Sequence, residues 1–144
     1  MILVSVSTLW SIHVFAAMGG RSMSAGNSSI FILTNADSSE NVQYISISNG
    51  FKFEPKRVTI RVGDTVEWKN KTKEVHTVTD IPDSANYPKD VAVPPGAEPF
   101  SSGGIMPGDT YRHTFTIPGK YKYFCKLHEV FHMTGEITVK PAGK

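Results

Sequence analysis

The sequence predicts an all-β domain, a Greek-key β-sandwich of about seven or eight strands, and three observations carry that expectation. Apolar residues recur at every second position through most of the chain after Val42, the spacing that turns one strand face to a core and the other to water. These runs are short and are cut by turn residues, with 12 glycines and 9 prolines in 144 residues. No stretch keeps a helical apolar period over the length a stable helix requires.

Taken in order, the chain reads as three parts. Residues 1–25 hold a mostly apolar run, Ile2 to Phe15, followed by the mainly small residues Ala16 to Gly20. The run is short for a membrane span and reads as a secretory signal, although no Lys or Arg precedes it. Cleavage after Gly19 or after Ala25 fits, and an uncleaved N-terminal anchor is the alternative. Residues 26–41 are rich in Ser and Asn and read as a polar tether; pairing of the apolar patch Ile30 to Leu33 as an extra edge strand is the alternative. Residues 42–144 form the domain.

Within the domain, Val42 to Ser48 alternates and ends at the turn signal Asn49-Gly50. Phe51 and Phe53 alternate with Lys52 and Glu54; Val58, Ile60 and Val62 alternate with Arg57, Thr59 and Arg61. Gly63-Asp64 turns the chain into Thr65 to Lys69, and Val75 to Thr79 resumes the strand pattern after a polar turn. Residues 81–109 form a long irregular stretch with six prolines, in which Asp83 to Asp90 has room for one helical turn. Tyr111, His113, Phe115 and Ile117 then share one face, Pro118-Gly119 is expected to make a hairpin into Lys120 to Cys125, and Glu136 to Lys140 is the last strand.

Charge and cysteine content narrow the function. The net charge is +2 with the signs interspersed, which gives no basic run of the kind a nucleic-acid surface needs. A single cysteine excludes an intramolecular disulfide, a four-cysteine zinc site and a two-cysteine dinuclear copper site. That cysteine, Cys125, stands at the end of one strand pattern, with His128, His132 and Met133 before the next. A loop tied at both ends to strands holds such groups in a nearly fixed arrangement. One thiolate, one imidazole and one thioether suit a soft metal, copper above all, and a blue-copper centre adds a second imidazole. His76, in Val75-His76-Thr77-Val78, is the candidate for it. The plainer alternatives are an inert buried cysteine, a solvated loop histidine, a packed strand histidine and a methionine that fills a gap. His132 adjoins Met133 and competes with it for the metal, but adjacent side chains on an extended segment diverge, so His132 is read as a residue of the surface or of the surroundings of the ligands. His113 falls on the inward face of its strand and is read as a core histidine.

The pattern Cys125-x2-His128-x4-Met133, inside Tyr121-x-Tyr123-Phe124 and Met133-x-Gly135-x-Ile137-x-Val139, resembles the copper loop of the cupredoxins, and in particular their plastocyanin, pseudoazurin and halocyanin-like branch. Gly103 to Asp109 and His113 to Tyr121 resemble the segment that precedes this loop, so the likeness spans roughly Val42 to Lys140. It implies one type 1 copper site with His76, Cys125, His128 and Met133 as ligands, Met133 being the weak axial sulfur. Thr77 stands where plastocyanin-like members often carry an asparagine that orders the ligand loops, which leaves the hydrogen bonding at sulfur open.

The resemblance further implies an exported, periplasmic or otherwise extracytoplasmic monomer that carries single electrons between redox proteins, such as a c-type cytochrome or a membrane oxidoreductase complex. It also implies that the edge of His128 lies near the surface in an apolar patch, to which Leu127, Val130 and Phe131 are candidates to contribute. A single-site copper oxidoreductase acting on a small nitrogen oxide and a periplasmic copper-handling protein are the rivals. The first needs an open position at the metal, against which Met133 argues. The second favours clustered methionines, and the five here are scattered.

Overall fold

The computed structural model describes residues 41–143, so the expected export segment and nearly all of the tether lie outside the described residues. Among the described residues there are seven strands: β1 (Val42–Ser48), β2 (Lys52–Glu54), β3 (Arg57–Arg61), β4 (Thr65–Asn70), β5 (Thr110–Thr114), β6 (Gly119–Phe124) and β7 (Thr134–Lys140). They form two sheets, one in the order β2-β1-β4-β5 and the other in the order β3-β7-β6. In the first, β1 runs parallel to β4 while β2 and β5 are antiparallel additions at the two edges. In the second, β7 is central, parallel to β3 and antiparallel to β6.

The alternation in the sequence is the alternation of burial. Val58 and Ile60 are buried between exposed Arg57, Thr59 and Arg61. Ile137 and Val139 are buried between half-buried Glu136 and Thr138 and exposed Lys140. Ile45, Ile47, Val66 and Trp68 from the first sheet meet Ile60, Tyr121, Tyr123 and Ile137 from the second in one apolar cluster. Burial of this kind supplies the main favourable term in folding. Trp68 is fully buried, edge-on to Tyr123 at 5.4 Å.

Three local expectations are corrected. Residues Val75 to Thr79 form no regular strand; His76 bridges Ile105, and Thr79 bridges both Ser101 and Phe124. Ile105 and Ser101 lie in irregular chain and Phe124 is the last residue of β6, so single bridges replace a ladder. Pro118-Gly119 makes no hairpin, because β5 pairs with β4 and β6 with β7, in different sheets. The chain after β5 is first pinned to the β3–β4 turn, with Gly63 N–H donating to Phe115 O and Phe115 N–H to Asp64 O, and only then crosses. Gly119 has φ +148 and lies against Pro94, where a Cβ would stand 2.6 Å from that ring. The Pro-Gly pair therefore serves a crossover. In place of one helical turn between Asp83 and Asp90 there are two short 3-10 turns, Pro82–Ser84 and Pro88–Asp90, each opened by proline.

Candidate metal centre

The site lies at one end of the two sheets, where β6 runs out at Phe124. From there the chain loops through Cys125 to Met133 before β7 begins. The loop is closed on itself: Cys125 N–H donates to Met133 O at 3.0 Å, His128 N–H to Cys125 O, and Phe131 N–H to His128 O. A 3-10 turn, Glu129–Phe131, carries the chain past His128 and ends at His132 in the left-handed conformation (φ 59). That bend, rather than an extended backbone, separates the two neighbours: His132 is exposed while Met133 is fully buried.

His76, Cys125 and His128 come together although His76 is 49 residues from Cys125 in sequence and further still from His128. The thiol Sγ of Cys125 lies 3.8 Å from His76 Nδ1 and 3.5 Å from His128 Nδ1, and one ligand atom from each of the three falls within 4.8 Å of the others. Met133 joins the same buried cluster as Cys125. His113 is elsewhere, half-buried and stacked on Phe100 at 4.4 Å, with burial holding its ring below the usual imidazole pKa. Burial first, and then the adjacent His128, lowers the pKa of His76 as well. Desolvation favours the neutral ring, the form that offers a lone pair to a metal. One thiol and two imidazoles facing it through Nδ1 fit a copper ion of the blue type.

Thr77 performs the ordering task that its departure from asparagine had left open. Its backbone N–H donates to the sulfur at 3.3 Å, and its hydroxyl, 3.7 Å from the sulfur, accepts Lys126 N–H at 2.8 Å. The two ligand-bearing segments are thereby tied across the thiol.

Four residues missed in the sequence support the site. Phe51 stacks on His128 at 4.3 Å and on Phe131 at 4.8 Å, from a backbone with φ 55. Thr72 Oγ1 lies 3.0 Å from His76 Nε2 and 2.9 Å from the oxygen of buried Asn70. Glu129 is buried in the loop itself. Only the Asn-Gly turn before Phe51 hinted at any of these.

His128 is half-buried, and around it Leu127, Val130 and Phe131 are 55 to 60% exposed. Glu74 stands at the outer edge of the ring, 4.0 Å from Nε2.

Comparison with known proteins agrees with this geometry. A family of copper-binding proteins, described as the plastocyanin/azurin family, matches residues 31–140. The chain is 32% identical over 114 residues to a chloroplastic plastocyanin of Tetradesmus obliquus, covering 76% of this chain and 73% of the relative. It is 31% identical over 120 residues to a plastocyanin of Nostoc punctiforme, covering 78% and 84% respectively. Among solved structures, the Cu(I) form of an amicyanin variant superposes with a TM-score of 0.55 at 26% identity, over 73% of this chain and 88% of that one.

Proposed function

Because this chain belongs to the plastocyanin/azurin family of copper-binding proteins, we propose that it carries single electrons between larger redox proteins through one copper ion held by His76, Cys125, His128 and Met133. The observation that carries the reading is the convergence of the Cys125 thiol and two imidazole Nδ1 atoms at 3.5 and 3.8 Å beneath an apolar surface. Copper bound there supplies a one-electron couple between Cu(II) and Cu(I). Everything else is done by the protein.

Cys125 gives up its thiol proton on metal binding, as thiolate ligands must, and the Thr77 N–H holds the sulfur in place. The fully buried Met133, at the far end of the loop, would supply a weak thioether donor to the ion. Two sheets and a loop closed by the Cys125–Met133 hydrogen bond fix the donors before the metal arrives. A frame that does not rearrange suits a group that changes charge at every turnover. His128 reaches the surface amid Leu127, Val130 and Phe131, so a partner that covers those side chains lies against the imidazole edge. The patch is small, which suits a complex that must dissociate after each transfer. Partners of the class of a c-type cytochrome or a membrane oxidoreductase complex, a monomeric state, and export by way of the N-terminal apolar run complete the reading.

The test is the visible absorption and EPR spectrum of the Cu(II)-loaded full chain. An intense thiolate-to-copper band with narrow hyperfine splitting is expected, and Cys125→Ser is expected to remove it while leaving the metal-free protein folded. A band that survives Cys125→Ser would sink the ligand assignment. A wide splitting would instead point to water or an open position at the metal and bring the enzymatic reading forward.

A further inference from the structure

Glu129 immediately follows His128, and as a loop carboxylate it would ordinarily be solvated. Here it is 1% exposed. Its Oε2 accepts the backbone N–H and the side-chain Nδ2–H of Asn86, both at 2.9 Å, and its Oε1 accepts the N–H of Tyr87 at 2.9 Å. These donors lie in the short stretch between the two 3-10 turns of the 82–90 segment, more than forty residues upstream. A buried carboxylate without such partners is strongly disfavoured. Here three N–H donors from one distant stretch satisfy both of its oxygens. The backbone of Glu129 meanwhile opens the 3-10 turn after His128, and its carbonyl accepts His132 N–H at 2.8 Å.

We propose that Glu129 is a positioning residue for the metal loop: its buried carboxyl group, gripped by Asn86 and Tyr87, locks the turn that carries His128. The role rests on the copper reading above and adds one consequence to it. The loop cannot loosen around His128 unless the 85–88 stretch is released with it.

The experiment compares the full-length wild type with Glu129→Gln and Asn86→Ala. Glutamine keeps the size of the side chain but turns an NH2 group towards N–H donors. Asn86→Ala removes one donor and leaves the carboxyl group. Amide hydrogen exchange at Tyr87 and residue 86 is read in the metal-free protein, so the clamp is tested whether or not copper binds as proposed. Exchange at Tyr87 is expected to quicken at least about tenfold in Glu129→Gln and less in Asn86→Ala; unchanged rates in Glu129→Gln overturn the clamp.

Cu(II) and Cu(I) affinities are then measured. In Glu129→Gln both affinities are expected to fall by about 10- to 100-fold, because the turn that carries His128 is loosened. In Asn86→Ala the fall is expected to be smaller. Faster exchange with both affinities unchanged would make Glu129 a staple of the fold and overturn its role at the metal. A wild type that takes up copper with no blue spectrum would reject the carrier reading while the exchange result still stands.

Discussion

His76 shows how a ligand is prepared before any metal arrives. With its proton on Nε2, the ring donates to Thr72 Oγ1 at 3.0 Å, and the Thr72 hydroxyl donates in turn to Asn70 Oδ1 at 2.9 Å. Asn70 is itself fixed, its amide donating to Glu74 O at 2.7 Å and Ile105 O at 2.9 Å. The relay leaves the lone pair on Nδ1, the atom that faces Cys125. Thr72→Val keeps the shape and removes the hydroxyl, and should weaken metal binding by about 10- to 100-fold in competitive titration. Thr72→Ser should restore it; a Val variant with native affinity would show that the relay is idle. The candidate ligands were legible in the sequence because coordination chemistry admits few residue types and three of the four share one short loop. Their supports were not. Thr72, Phe51 and Glu129 are ordinary residues in linear order, and Glu129 is buried only because Asn86 and Tyr87 bring donors from a distant segment.

At the level of elements, the pairing of β6 with β7 sets a tight demand at Gly135. Tyr123 and Gly135 are opposite one another, and the Tyr123 ring lies where a side chain at 135 would stand: a Cβ there would come within 2.2 Å of the ring. Tyr123 cannot yield, being fully buried between Phe53 at 4.8 Å and Trp68 at 5.4 Å. Gly135→Ala should therefore destabilise the metal-free protein by about 1–3 kcal/mol or more, read as a lowered midpoint of urea unfolding. An unchanged midpoint would mean that the β6–β7 ladder can spread, and the rigidity ascribed to the metal loop would go with it. Sequence periodicity located these strands well, since Val58, Ile60, Ile137 and Val139 carry an unambiguous inward face. It could not say which strand lies beside which. A period of two reports burial, whereas pairing across sheets is decided by contacts far apart in the chain, such as Phe115 with the Gly63-Asp64 turn. For that reason Pro118-Gly119 looked like a hairpin and serves as a crossover. Val75 to Thr79 has the alternation of a strand without a continuous neighbour to pair with.

For the molecule as a whole, stability against pH should carry the mark of one buried carboxyl. Asp80 has no exposed surface; its Oδ1 accepts Phe100 N–H at 2.6 Å, while Oδ2 is buried with no hydrogen-bond partner. Burial raises its pKa to about 6 from an ordinary 3.8, and its charge helps to push the hydroxyls of Tyr111 and Tyr121 upward in turn. Because the folded pKa is raised, folding favours the protonated acid. The contribution is fully present below pH about 4 and is lost as the pH rises through about 6, a change of about 3 kcal/mol. The buried rings of His76 and His113 act in the opposite sense, since their folded pKa values are lowered and they cost stability as the pH falls below that of a free imidazole. The raw stability curve of the metal-free chain therefore mixes opposing slopes. Asp80→Asn separates them: an amide keeps the acceptor for Phe100 N–H, cannot ionise, and leaves both histidines in place. The variant should match the wild type near pH 4 and exceed it by up to about 3 kcal/mol at pH 7, measured by urea unfolding at each pH. Parallel curves across that range would mean that Oδ2 finds solvent in the folded protein and that Asp80 ionises there as freely as in the unfolded chain.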